Sequence, residues 1–330
     1  MLLLFWLLMI IFGSTGRKSM MKQYVILADV ACDLSRELCE EFNILPCIEG
    51  HVSINATREI TAKLDWSEIS REEFYKTLSD KKNRVTSAPA NVEEYCEIFR
   101  QYVRQGYGIL SMSLSSKISN TYDFATKAAQ RVQGEYPDAQ IYCFDSFRMS
   151  TAFGLLVLYA HELKAQGKSL EEVAQWLENN KRRVHQMGPI DDLMFIARRG
   201  RITMGKAILG SFAGVKPMGD CNANGYVTVI AKAKGIKKAL DLTVRYVRQT
   251  ATKIEDQIVL ISHSNREAYA LALKELVEKE LAPGRVYLSD VFPLCGTNIG
   301  PGMVGVYYLG DEVSPELEKE KEIMQALLKS

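Results

Sequence analysis
Short apolar runs of four to eight residues alternate along the chain with longer periodic segments that open on helix-capping residues, and this alternation restricts the fold more than any single motif. Runs of that length suit buried strands, and strands alternating with amphipathic helices build an α/β protein. The strand candidates are residues 24–28, 47–54, 108–113, 140–144, 226–231, 257–262, 285–288 and 304–308. Helices fall between them. Ser70 with Glu73, Asn91 with Glu94, and Ser169 with Glu172 each set an acceptor side chain and an acid at capping-box spacing. Residues 153–184 read as two consecutive helices broken at Gly167, the second ending on basic residues that suit a helix C-terminus.

The 330 residues exceed what one core usually serves, so two domains are expected, with a cleft between them as the default ligand site. Forty-one basic and 40 acidic side chains leave a charge of +1, which gives no electrostatic reason to expect nucleic acid or an anionic membrane as partner. Seven scattered cysteines without C-x-x-C or zinc-like spacing argue for reduced thiols in a cytoplasm. The opening MLLLFWLLMIIF is too short to span a bilayer, and Lys18 and Lys22 follow it rather than precede it as in a signal peptide. Met20 and Met21 stand immediately before the first strand candidate, so the opening reads as an over-extended start in preference to a weak anchor.

Several chemical classes lack their motifs. GPGMVG, from Gly300 to Gly305, fits the dinucleotide pattern in letters, but a β-branched and aromatic segment leaves the turn where a pyrophosphate site needs a helix. No Walker loop is present, the HELKA at His161 lacks the second histidine of a zinc helix, and GSFAG at Gly210 is not a nucleophile elbow. His51, His161, His185 and His263 read as surface or core histidines. Hydroxyl-bearing loops stand out instead: RVTSAPA from Arg84, SMSLSSKISNTYDFA from Ser111 and FDSFRMSTAFG from Phe144. Beyond the carboxyl ends of parallel strands, such hydroxyls and helix N-termini can hold an anionic oxygen, although helix capping alone accounts for one Ser or Thr per loop. A serine hydrolase or transferase using Ser119 with Asp145 is the rival reading, and it lacks a general base within its motif.

Taken in order, these segments resemble the DegV family, bacterial fatty-acid-binding proteins that present an acyl chain to a separate kinase. ADVACDLS from Ala28 is similar to the family's T-D-S-x-x-D-L-P, TSAPA from Thr86 to T-S-Q-P-S, and SSKISNTYDFA from Ser115 to S-S-x-L-S-G-T-Y-x-x-A. DSFRMSTAFG, RRGRI, VKP and AKAKGIKKAL follow, and GTNIGPGMVGV is similar to the closing G-T-H-x-G-P-G-x-x-G-V. The resemblance implies an α/β fold of two domains: an N-terminal three-layer α/β/α domain on a parallel sheet and a C-terminal two-layer domain on a mixed sheet. Assigned here, residues 1–21 form an extension, 22–183 the first domain and 184–330 the second, with the lipid site at their junction.

Carried over by position, the resemblance implies that Thr86, Ser119 and Asn298 hold the carboxylate of a long-chain fatty acid, supported by Ser87, Ser116, Thr121, Gly300 and Gly302. Asn298 stands where the family has histidine; it offers an amide donor but neither charge nor titration. Val30, Ala88 and Asn120 also depart from the pattern, and Lys234 replaces an arginine. The implied activity is that of a carrier without cofactor or metal, serving a dihydroxyacetone-kinase-like fatty-acid kinase met through Arg198, Arg199, Arg201 and Lys234. A lipid sensor without that partner is the alternative.

Overall fold
The computed structural model describes residues 23–203 and 214–330. The apolar opening through Lys22 and the GSFAG segment up to residue 213 lie outside the described residues. Tyr24–Ala28, Gly108–Ser113 and Ile141–Asp145 form a parallel sheet with Gly108–Ser113 at its centre. Every residue of Tyr24–Ala28 is buried, so both faces of the sheet need cover. Alternation divides them: Val25 and Leu27 join a cluster with Phe99 and Ala128, whereas Tyr24, Ile26 and Ala28 join another with Phe144 and Phe153. Helices Val92–Arg104 and Thr121–Glu135 therefore cover one face and Ser150–Ala165 the other, which makes three layers.

The helix Ser150–Ala165 is apolar around its circumference because it also packs on a second sheet. That sheet runs Arg285–Asp290, Ile258–His263, Val304–Leu309, Val184–Met187 in space; its first pair is parallel and the other two are antiparallel. Ile258 and Leu260 face the cluster of the shared helix, while Val259 and Ile261 face Ile236–Thr250, Glu267–Leu281 and Glu318–Lys329. At Gly154 an added Cβ would lie 2.3 Å from the Cys32 carbonyl oxygen, so only glycine lets this helix close on the turn after the first strand.

Two smaller sheets, antiparallel apart from the parallel pairing of Ile202–Thr203 with Val227–Lys234, complete the strands of the described chain. Arg58–Ala62, Gly50–Ile54 and Val85–Ala88 form a small sheet, and the hairpin Val215–Cys221 with Val227–Lys234 is extended by Ile202–Thr203.

The expected strands 24–28 and 108–113 recur with the same bounds and most others with shifted ends, but 47–54 contracts to Gly50–Ile54, with Ile48 bridging separately to Asp29. Thr86 and Ser87 correct the sequence reading more seriously: they lie on an antiparallel strand, not in a loop. Asn91 and Ser169 close full capping boxes. Ser70 makes only its own half, because Arg58 Nη1 holds the Glu73 carboxylate at 2.7 Å.

Candidate functional site
A cavity of about 620 Å3 opens between these units, within the range of small-molecule sites. Leu114, Ile118, Phe124, Ile190, Ile196 and Leu294 supply much of its apolar wall. The segments after two parallel strands reach it: Ser116–Asn120 follows Gly108–Ser113, and Met149 and Ser150 follow Ile141–Asp145. Ligand-facing loops at strand carboxyl ends are what a parallel sheet provides. Among the described lining residues there is no Asp or Glu, and the charged ones, Lys117 and Arg201, are both basic and exposed.

Ser87 and Asn298 meet on one wall. The Asn298 side-chain nitrogen donates to Ser87 Oγ at 2.9 Å and to the Leu294 carbonyl at 3.2 Å. The second bond fixes the amide's orientation, since a flipped amide would set two carbonyl oxygens together. Ser87 oxygen thus accepts from the protein, which leaves its O–H to donate elsewhere. Ser119 has a similar disposition: Thr121 N–H donates to its Oγ at 3.3 Å, and the two hydroxyls are 2.8 Å apart. Ser119 thus accepts from the first amide of the helix and also lines the cavity.

The other sequence-derived positions divide. Ser116 lines the cavity, but Thr86 is exposed and does not. Gly300 and Gly302 do not line it either; their positive φ values of 72° and 106° shape the turn, packed against Phe195 and Asp191. Arg199 donates to the Val85 carbonyl at 2.8 Å with its guanidinium over the Phe195 ring, while Arg201 and Lys234 are exposed. Asp145 accepts from Ser116 and Phe147 backbone amides, and the hydrogen-bond partner of Ser119 is Thr121, so the structure does not pair Ser119 with a base. None of the four histidines lines the cavity. Among the described residues, no group of three or more His, Cys, Asp or Glu is arranged to hold a metal ion.

Beneath the cavity two carboxyls are fully buried. Burial pushes Asp33 up from 3.8 to about 7, against the lowering effect of hydrogen bonds from Ser150 at 2.5 Å and the Phe292 amide at 2.9 Å. Burial likewise raises Asp29 to about 7, although it accepts from the Ala31 and Leu114 amides. Ser150 reaches the cavity with left-handed backbone, φ 51°, and its buried partner Asp33 shares that conformation, φ 49°.

Ser150, Gln186 and Tyr307 were not among the sequence candidates. DSFRMS placed a serine near a strand end, a signal that could have singled out Ser150. Gln186 and Tyr307 carry no local signal, since each lies within a strand whose role depends on what packs across from it.

Comparison with known proteins covers nearly the whole described chain. The family described as "Uncharacterised protein, DegV family" matches residues 23–311. A DegV domain-containing protein of Clostridium perfringens is 31% identical over 297 residues, covering 89% of this chain and 100% of the relative. DegV of Bacillus subtilis, described as a fatty acid binding protein, has 25% identity and a TM-score of 0.73, covering 88% of this chain and 100% of that one. The Fatty Acid Kinase (Fak) B3 protein of Streptococcus pneumoniae, solved with linoleic acid, shares the fold at a TM-score of 0.74 with 16% identity, again over 88% and 100%.

Proposed function
Since this chain belongs to the DegV family, we propose that its cavity binds a long-chain fatty acid with the carboxylate at Ser87 and Ser119. The observation that carries this reading is an apolar cavity with the Ser87 and Ser119 hydroxyls on its wall and no carboxylate among its described lining residues. The description of the B. subtilis relative as a fatty acid binding protein supports it. Ser87 takes the role first expected of Thr86, and Asn298 acts as a positioning residue that keeps the Ser87 proton directed at the ligand. The junction is taken to lie between units 22–183 and 184–330.

The energetics divide between tail and head. Burying about fifteen methylenes at about 0.8 kcal/mol each gives about 12 kcal/mol before the losses of association and chain ordering. The hydroxyls need only offset desolvation of the carboxylate and set its direction. In this reading the protein is a cytoplasmic carrier, where neighbouring thiols such as Cys32 and Cys47, 3.6 Å apart, stay reduced. It presents the exposed head group to a separate ATP-dependent kinase, met through Arg201 and Lys234; Arg199 is committed to the Val85 carbonyl and Phe195.

Replacing Ser87 and Ser119 by alanine is expected to weaken binding of palmitate more than of its methyl ester. Equal losses for acid and ester would reject the head-group assignment. Native mass spectrometry of the purified protein tests the acyl ligand itself, and kinase-dependent acyl phosphate formation tests the partnership.

A further inference from the structure
Cys32 and Cys47 bring their sulfurs to 3.6 Å although they stand 15 positions apart in the chain. The backbone builds this contact: Ile48 N–H donates to the Ala28 carbonyl at 2.8 Å and Val30 N–H to the Ile48 carbonyl at 3.0 Å, which lays the segment before Gly50–Ile54 along the end of the first strand. The turn Val30–Cys32 is fixed from its far end, where Asp33 accepts from Ser150 and from the Phe292 amide. Cys32 is fully buried, whereas Cys47 is half-buried and lines a surface groove of about 700 Å3 with Val30, Cys39, Ile44 and Leu64. The turn borders both spaces, Val30 lining the groove and Ala31 the apolar cavity. Other sulfurs are occupied elsewhere: Cys39, Cys96, Cys221 and Cys295 point to the backbone carbonyls of Leu34, Ala128, Phe147 and Ala31.

Attack on an oxidant needs a thiolate that the oxidant can reach. Burial pushes the Cys32 thiol well above its ordinary value, so Cys32 keeps its proton and donates to Cys47. The Cys47 sulfur is then the acceptor, an arrangement that favours its thiolate, and of the pair it is the one that borders the groove. Burial also pushes Cys39 up to about 12, which removes it as a competitor at neutral pH. We propose that Cys32 and Cys47 form a reversible oxidation site, at which Cys47 reacts with a peroxide and Cys32 resolves the product. The Cys47 sulfur bonds to one peroxide oxygen, the O–O bond breaks, and the other oxygen leaves as water, with Cys47 now a sulfenic acid. The Cys32 sulfur then displaces that hydroxyl, which takes the Cys32 proton and leaves as a second water. An S–S bond forms, and the two thiols together have given two electrons to the peroxide. Closure from 3.6 Å to the roughly 2.0 Å of a disulfide draws Cys47 toward the fixed turn. It also spares Cys47 the irreversible step to sulfinic acid. At the reducing poise of a cytoplasm the pair rests as thiols, and peroxide closes it. The groove and the apolar cavity share no lining residue, so the site stands whether or not the cavity holds a fatty acid.

The test exposes the folded full chain, reduced and then freed of reductant, to a small molar excess of hydrogen peroxide. Remaining thiols are blocked with iodoacetamide in urea, and the digested peptides are mapped by mass spectrometry. A peptide linked through Cys32 and Cys47 is expected as the main oxidised species, absent after dithiothreitol, with Cys96, Cys143, Cys221 and Cys295 recovered alkylated. In Cys32→Ser the resolving thiol is gone, so Cys47 is expected to hold a sulfenic acid that dimedone traps. In Cys47→Ser, Cys32 is expected to stay reduced. If Cys47 stays reduced in the wild type, or pairs with Cys39 in place of Cys32, the proposal falls. It falls equally if Cys47 goes to sulfinic acid without the linked peptide, or if Cys47→Ser leaves Cys32 readily oxidised. The wild-type map decides by itself where a variant fails to fold.

Discussion
Ser87 and Thr86 differ in chemistry by a methyl group and in position by one step along a strand, yet only Ser87 faces the cavity. Thr86→Ala should therefore leave palmitate affinity unchanged, while Ser87→Ala should weaken it about fivefold, the effect of one hydrogen bond of about 1 kcal/mol. Titration calorimetry of the two variants checks this, and a larger loss at Thr86 would reverse the assignment. The motif TSAPA was visible in the sequence, but which of its hydroxyls lines the cavity was not. An isolated four-residue strand has no register until Gly50–Ile54 pairs with it, and that pairing sets Ser87 opposite Val52.

Among the elements, Ser150–Ala165 bears the strictest packing demands, being enclosed by two sheets. Gly154→Ala puts a methyl group against the Cys32 carbonyl at 2.3 Å, and backbone on both sides cannot yield easily. The variant should lose about 1–3 kcal/mol in urea unfolding. By contrast, Ser169→Ala, at the start of the exposed-faced helix Leu170–Asn180, should cost about 1 kcal/mol by removing one cap. A Gly154→Ala loss below that of Ser169→Ala would contradict the packing described. The capping boxes were legible because they depend on residues three apart. The hairpin Gly50–Ile54 to Arg58–Ala62 was not, because its turn uses Asn55 and Ala56, both at φ 55°, without the glycine that usually announces such a turn.

Across the whole molecule, Asp33 joins segments distant in sequence: its carboxylate accepts from Ser150 and the Phe292 amide, and its backbone carbonyl accepts from Ser289. Burial raises its folded pKa from 3.8 to about 7, so between those values the native state keeps a proton that the unfolded chain releases. This contribution is fully present below pH 3.8 and is lost as pH rises through 7. Asp33→Asn has no such proton to lose. The variant should gain stability relative to wild type, by on the order of 3 kcal/mol, between pH 5 and pH 8 in urea unfolding. Parallel curves for the two proteins would show that Asp33 does not titrate in this environment. The alternation of apolar runs and capped helices was enough to specify an α/β chain, because strand and helix periodicities are local properties, whereas the parallel and mixed sheets followed from the family resemblance. The ordered motifs were enough to indicate the family. The cavity itself arises only where segments from opposite ends of the chain face each other, so the places of Ser87, Ser150 and Gln186 on its wall were decided by tertiary packing, which no local pattern encodes.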